Sequence, residues 1–441
     1  MAAGNQVPTG DGAIVLEFLF GVPVRELLRP APPSSSLTVL RGPHPRTLSV
    51  ACQVDGAMPA SSLHLAGPPG GGGQWHLHGG GDIFDGTQVS LFSYEARPAT
   101  GGAVIEAEDL EHVRLVTRTP RRSLLLASLG GRGRDALHVM DGVAARHRTA
   151  LPFVRDLTVP GAYLLDEVTV ALLWATFCFD DWLQADDALL AEERDRLAQG
   201  QGAAAHSGFT RSALPELSSA GAVWLGSHVC AAHAEQHFAG PVSGSGLPVL
   251  WSQVRGGPEA AAWLLLKDRS RVLDLIRLPG CTAPGRMAVC LPEVAVKAAE
   301  SYERILLMLF AALVESRGIV LSVTDDPAYE AMDEVLVAGR MAVVGNWLPR
   351  GDGICAAATT HETSRVTLYA DAAAHSVIAA DDSDGRLRAL ADYLELDVQW
   401  LAGRCRELHA AGLSSLVRTR SLLLHTTGLE TALAHLATLT R

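Results

Sequence analysis

Lysine is nearly missing from this chain of 441 residues. Of its 36 basic residues only Lys267 and Lys297 are lysines, and the others are arginines. Because arginine stays charged throughout the physiological pH range, the basic part of the surface does not titrate. Together with 43 glycines and abundant alanine, this usage is typical of a GC-rich coding sequence. It leaves few sites for lysine-directed modification.

An excess of basic charge is also lacking. The formal net charge is −12, whereas binding to nucleic acid or to an anionic membrane requires a basic face. The composition therefore makes nucleic acid an unlikely partner. The longest strongly apolar run, Ile305 to Val314, is about half of the roughly 20 residues that a bilayer requires, so we expect no membrane span.

Cysteine motifs are absent too. The seven cysteines are scattered, without a C-x-x-C pair. They are Cys52, Cys178, Cys230, Cys281, Cys290, Cys355 and Cys405. The first residues also lack the basic stretch and apolar core of a signal peptide. These features predict a reduced, soluble, intracellular protein of the cytoplasm or nucleus.

What the chain does contain is an apolar fraction of 48%, enough for a large core. Residues 1–160 show short apolar runs separated by Gly, Pro, Ser and Asp, which predict a β-rich sandwich or barrel-like domain. Residues 161–441 predict a mixed α/β, predominantly helical domain, with a possible further boundary near residue 285. The fold class is therefore expected to be α+β.

Several segments of the second part carry clear patterns. Residues 164–197 are helical in pattern with a break near Asp180, Pro258 opens a helix to about Arg277, and Pro292 opens a longer one ending at Gly318. The second half of the helix opened by Pro292 is expected to be buried. After a strand at 319–324 and a short helix opened by Asp326, residues 341–380 predict strands, and the rest predicts helices.

One candidate metal site lies in HVCAAHAEQHF, residues 228–238. On a helix, Cys230, His233 and His237 fall at i, i+3 and i+7 and so line one stripe. Cysteine and histidine are zinc ligands, and a fourth ligand would have to come from elsewhere. The alternative is ordinary packing of these side chains on a half-buried helix. No cofactor is expected apart from this candidate zinc.

A second candidate is FCFDDWLQADD, residues 177–187. Asp180, Asp181 and Asp186 give D-D-x-x-x-x-D, which is similar to the first aspartate-rich motif of bacterial-type polyprenyl synthases. That resemblance implies magnesium held against a diphosphate in an all-α fold with a second acidic motif, and the β-rich first third departs from it. The alternative is a helix break at Asp180 and Asp181 followed by a solvated turn at Asp186 and Asp187.

A third stretch, QWHLHGGGDIFDG at residues 74–86, resembles the H-G-G-G loop of the hormone-sensitive-lipase branch of α/β-hydrolases. The G-x-S-x-G nucleophile motif of that family does not occur in the chain. In a strand His76 and His78 share a face and could hold a metal together with Asp82 or Asp85. The simplest interpretation is a strand that ends in a glycine-rich turn.

The sequence thus favours a non-enzymatic interaction or scaffold subunit of a larger assembly, whose partners are other protein subunits. A structural or tegument protein of a GC-rich DNA virus and a vertebrate complex subunit both agree with the composition. Contact is predicted for leucines in the C-terminal helices, unless they close the chain's own core. These are Leu401, Leu408, Leu413, Leu416, Leu422 and Leu423. The alternative is a metal-dependent enzyme that uses the Cys230/His233/His237 or the Asp180/Asp181/Asp186 cluster.

Overall fold

The fold is described from a computed structural model. The residues that it describes are 35–40, 47–55, 62–64, 74–78, 87–106, 122–129, 136–150, 156–198, 208–210, 217–238, 249–253, 258–267, 273–274, 276, 285–332, 334–345 and 354–439.

Nine strands from the first part of the chain form one sheet. They are Ser35–Leu40 (β1), Thr47–Asp55 (β2), Ser62–His64 (β3), Gln74–His78 (β4), Thr87–Ala99 (β5), Gly102–Ile105 (β6), Arg122–Leu129 (β7), Ala136–Asp141 (β8) and Leu157–Pro160 (β9). The main path runs β3-β4-β1-β2-β5-β6-β9, and β7 pairs with both β5 and β8. β7 is paired on both edges, with β5 and β8, and its first six residues are buried.

Seven strands form a second sheet in the order β10-β16-β15-β14-β11-β12-β13. They are Gly208–Thr210 (β10), Val249–Gln253 (β11), Arg286–Cys290 (β12), Val320–Thr324 (β13), Val335–Ala338 (β14), Met341–Gly345 (β15) and Ile354–Thr360 (β16). β12 runs parallel to both β11 and β13, with Arg286 opposite Val320, while the other pairs are antiparallel. Among the described strands, β13 is an edge.

Eleven α-helices accompany the two sheets in the described ranges. They are Gly142–Thr149 (α1), Glu167–Phe177 (α2), Asp180–Ala198 (α3), Ser219–Phe238 (α4), Pro258–Leu266 (α5), Glu293–Ala298 (α6), Ser301–Ser316 (α7), Thr363–Ala372 (α8), Ser383–Tyr393 (α9), Val398–Ala411 (α10) and Thr427–Ala437 (α11). Two 3₁₀ turns add Gly161–Tyr163 and Pro327–Ala331.

The helix α7 lies at the centre of the main core. Nearly every one of its side chains is buried, and it contacts α2, α5, α9, α11 and β13. Its start is fixed by a capping box, in which Glu300 accepts from the helix and Glu303 accepts from the Glu300 amide at 2.9 Å. The predicted burial of this segment is confirmed. The predicted single helix from Pro292 is wrong, because that capping box starts a new helix after α6 ends.

Other predictions have mixed outcomes. The mixed α/β content and the break before Asp180 are confirmed. The helix opened by Pro258 ends at Leu266 rather than near Arg277, and 363–372 is a helix instead of a strand. β4 confirms the strand through His76 and His78, whereas the following glycine-rich residues with Asp82 and Asp85 lie outside the described residues.

Two finer predictions stay predictions, namely the sandwich or barrel arrangement of the front strands and the boundaries at 160 and 285. A single hydrophobic cluster includes side chains from Tyr94 to Leu439.

Among the helices that the structure describes, none combines the length and apolar character needed to traverse a lipid bilayer.

Candidate functional site

The aspartate-rich motif lies at the start of α3, and its first carboxylate is completely buried. Asp180 accepts hydrogen bonds from the backbone amides of Arg420 and Ser421 at 2.8 and 2.9 Å. It also forms a buried ion pair with Arg122, the first residue of β7. These bonds join α3, the first sheet and the segment before α11.

Arg122 completes the same network. Its Nη1 donates to the carbonyl of Arg418 at 3.0 Å, and its Nη2 also reaches Asp181 Oδ1 at 3.2 Å. The guanidinium lies over the ring of Phe177, 4.4 Å from the ring centroid, a favourable cation–π geometry. A guanidinium that serves two carboxylates, a carbonyl and a ring is held in one orientation.

Burial has a clear electrostatic effect here. Loss of water raises the pKa of Asp180, while Arg122 and the two amides oppose that rise because they favour the carboxylate. Burial also lowers the pKa of the Arg420 guanidinium, and the nearby positive charge of Arg122 lowers it further.

The second half of the motif is helical rather than a solvated turn, which corrects the alternative interpretation of Asp186 and Asp187. Asp186 is buried and accepts from the amide and the hydroxyl of Ser218 at 3.0 and 2.6 Å. Ser218 in turn accepts from the Gly221 amide in the first turn of α4. A Cβ on Gly221 would lie 2.1 Å from Asp186 Oδ2, so a larger residue at this position would displace the Asp186 carboxylate.

Asp187 fixes the segment that precedes α11. Its two carboxylate oxygens accept from the Ser421 hydroxyl at 2.6 Å and from the Leu422 amide at 3.0 Å. We call residues 418–422, held by Arg122, Asp180 and Asp187, the anchored segment. All four aspartates of residues 177–187 therefore have protein partners, and these bonds join distant parts of the chain.

Leu422 projects from the anchored segment with 79% of its surface exposed. Its neighbours Ser421 and Leu423 are both buried. An exposed leucine on a mobile loop is unremarkable, but here the backbone on both sides is fixed. Little backbone conformational entropy therefore remains to be lost when a partner covers this side chain.

The other five predicted contact leucines lie inside the chain's own core, which is the alternative that the sequence left open. They are Leu401, Leu408, Leu413, Leu416 and Leu423, each between 0% and 6% exposed. Of the six, Leu422 alone offers a surface in this structure.

The Cys/His stripe lies on α4 as predicted, but its members have other contacts. Cys230 is fully buried. His233 Nε2 lies 3.0 Å from the Thr359 hydroxyl, and the rings of His233 and His237 are 4.3 Å apart. Burial and the proximity of His237 lower the pKa of His233. In the part of the chain that the structure describes, no three His, Cys, Asp or Glu side chains are grouped as a metal site.

A second buried ion pair stabilises the start of α2. Asp166 caps that helix by accepting from the Thr169 amide at 2.8 Å and pairs with Arg404 of α10. Arg404 also donates to the carbonyl of Ala162 at 2.9 Å. This pair positions α10, which carries two of the buried leucines, Leu401 and Leu408.

Sequence reasoning found Leu422 and the aspartates but missed Arg122, Ser421 and the role of Asp187. The partners of the motif lie between 32 and 241 residues away in the chain, so local spacing carries no signal for them. Comparison with protein families, curated proteins and solved structures found no match.

Proposed function

We propose that the protein is a non-enzymatic interaction subunit of a larger assembly and that Leu422 is an anchor for another polypeptide chain. The observation that carries this proposal is the combination of 79% exposure with a hydrogen-bonded backbone on both sides of the residue. Interface energy concentrates in a few side chains, and preorganised ones lose least on binding.

The charge of the chain favours a different polypeptide over a second copy. At a net charge of −12, two copies repel each other at long range. The anchored segment itself contains exposed Arg418 and half-buried Arg420. A partner that presents an apolar pocket with acidic residues at its rim would match Leu422 and these arginines.

The compartment that we propose is the cytoplasm or the nucleus. Cys178, Cys230, Cys290 and Cys405 are free and buried. Buried free thiols are the form that cysteine takes in a reducing compartment. The arginine-rich, lysine-poor composition agrees with two kinds of assembly. One is the structural assembly of a GC-rich DNA virus, and the other is a vertebrate protein complex.

Site-specific photo-crosslinking tests the proposal. A photoreactive phenylalanine analogue placed at position 422 in the full chain, in the cells that produce it, should crosslink one defined polypeptide. Val294 is the matched control, because it is also 79% exposed but lies on α6. The same polypeptide, purified, should bind the parent chain and lose affinity for Leu422→Asp.

Two outcomes of this experiment would contradict the proposal. Equal crosslinking from positions 422 and 294 would contradict an anchor at Leu422. A crosslink from position 422 to a second copy of the chain would contradict the assignment to a different polypeptide.

A further inference from the structure

Two histidines lie next to each other near the end of helix α4. His233 and His237 are one helical turn apart, so their side chains project from the same face of the helix. The centroids of their rings are 4.3 Å apart, and the ring planes are inclined by 30°. His237 is exposed and His233 is half-buried, so a solute can reach the pair. Cys230, the third member of the predicted stripe, is fully buried and does not belong to it.

The hydrogen bond of His237 determines which of its ring nitrogens has a lone pair. Its Nδ1 lies 2.9 Å from the carbonyl oxygen of His233. Because a carbonyl oxygen only accepts, Nδ1 carries the hydrogen, and the neutral ring has its lone pair on Nε2. Histidines that bind a metal usually donate their other ring N–H to a carboxylate or a backbone carbonyl, which fixes the tautomer and the ring orientation. His237 therefore has the tautomer and the outer hydrogen bond of a metal ligand.

His233 has a hydroxyl as its neighbour on the second sheet. Its Nε2 lies 3.0 Å from the Thr359 hydroxyl of β16, and a hydroxyl can either donate or accept. A neutral His233 keeps a lone pair on one of its two ring nitrogens in both cases. Burial and the proximity of His237 lower the pKa of His233. The neutral form, which is the form that binds metal, is therefore favoured at neutral pH.

The distance between the rings suits a single metal ion. Zinc–nitrogen bonds are about 2.0 to 2.1 Å long, so one ion can bind two nitrogens that are up to about 4 Å apart. With ring centroids 4.3 Å apart, side-chain rotation can bring one nitrogen of each ring into that range while the helix backbone stays in place. Imidazole nitrogens suit zinc, copper and nickel, whereas magnesium and calcium prefer oxygen ligands.

We propose that His233 and His237 together bind one divalent transition-metal ion such as Zn²⁺. Two positions of a tetrahedral ion then stay open to water or to a side chain of another molecule. Structural zinc sites have four protein ligands, so a site with two is expected to exchange its ion with solution. The site lies on α4 and does not depend on the role proposed for Leu422.

Isothermal titration calorimetry of the full chain with ZnCl2 in a non-chelating buffer tests the site. His233→Gln and His237→Gln should each weaken zinc binding about tenfold or more, because each removes one of the two ligands. His409→Gln is the matched control and should bind zinc as the parent chain does. His409 is an exposed histidine in the last turn of α10, without a second histidine one turn away.

The double variant distinguishes one shared ion from two separate single-histidine sites. If both rings bind the same ion, combining the two substitutions should weaken binding little more than either alone, because effects within one site are not additive. Losses that add would overturn the proposal. His237→Gln replaces an exposed side chain, and circular dichroism checks that each variant is folded.

Nitrogen-15 NMR of the histidine rings identifies the ligands directly. Zinc should shift ring nitrogens of His233 and His237 at the same zinc concentration, while those of His409 stay unchanged. A shift at His237 alone, or equal zinc affinity of the parent chain and His237→Gln, would overturn the proposal. The absence of zinc binding up to about 1 mM would do the same.

Discussion

Asp180 and Arg122 form a buried ion pair that connects the start of helix α3 to the start of strand β7. Both side chains are at most 2% exposed. Each also binds backbone of the anchored segment, Asp180 through two amides and Arg122 through the carbonyl of Arg418. One ion pair therefore determines the position of three separate parts of the chain, including the residues that present Leu422.

The first prediction concerns this pair. Asp180→Asn keeps the shape but removes the charge, which leaves Arg122 buried without its main partner. Removing one member of a buried pair costs about 3 to 5 kcal/mol, so the free energy of unfolding should fall by that order. Chemical denaturation monitored by circular dichroism measures it.

Asp181→Asn is the matched control for that prediction. Asp181 contacts the same Arg122 at 3.2 Å but is 27% exposed, so water can replace part of the lost interaction. We expect about 1 kcal/mol or less. Equal losses for the two variants would show that the buried pair is not the central connection.

The second prediction concerns pH. His138 is buried, and burial followed by the nearby charge of Arg404 lowers its pKa below the ordinary 6.5. The unfolded chain therefore binds more protons at this site as the pH falls through 6.5, and stability is lost with acidification until the folded pKa is passed. His138→Gln should therefore reduce the slope of the free energy of unfolding against pH. The effect is expected between pH 7 and the lowered pKa of His138 in the folded chain.

The comparison with the parent chain is needed because other groups act in the opposite direction. Burial raises the pKa of Asp166, so the contribution of this group to stability grows as the pH falls and is lost as the pH rises through its folded pKa. Urea unfolding at a series of pH values gives both slopes. If the two slopes are identical, His138 is not one of the groups that link protons to folding.

The third prediction separates core leucines from the exposed one. Leu408 is 0% exposed, whereas Leu422 is 79% exposed. Leu408→Ala should lower the free energy of unfolding by about 2 to 5 kcal/mol, because it leaves a cavity. Leu422→Ala should change it by about 0.5 kcal/mol or less. Thermal and chemical denaturation of the two variants distinguish a core role from a surface role.

Much of the architecture could be predicted from local patterns. The break before Asp180 and the strands around β7 follow from apolar spacing and turn residues. The helix at 363–372 was missed because Thr363, Val366 and Thr367 are β-branched, which favours strands. Its buried Val366, Tyr369 and Ala372 recur at every third residue, and that spacing was the available signal.

The site was less accessible to sequence reasoning. Local spacing shows that Asp186 and Asp187 are adjacent acids, but the hydroxyl of Ser421 that binds Asp187 lies 234 residues further along the chain. Likewise, buried Leu408 and exposed Leu422 have the same side chain, and only tertiary packing distinguishes them. Periodicity reports which face of an element is apolar and not what covers that face.

The fourth prediction concerns the ion pair between Glu315 and Arg386. Glu315 is buried, accepts twice from Arg386 and also accepts from the Leu321 amide at 2.8 Å. Glu315→Gln should lower the free energy of unfolding by about 3 kcal/mol or more. Glu362→Gln, in an exposed pair with Arg365, should have little effect. Comparable effects of the two substitutions in urea denaturation would contradict this ranking.

The most direct test of the account is the affinity of the chain for the polypeptide crosslinked at position 422, measured by calorimetry with purified components. The expected result is that Leu422→Asp weakens binding by about 2 kcal/mol or more, the range of an interface anchor, while Val294→Asp leaves it unchanged and both variants stay folded. Equal affinities for the parent chain and Leu422→Asp would contradict the account.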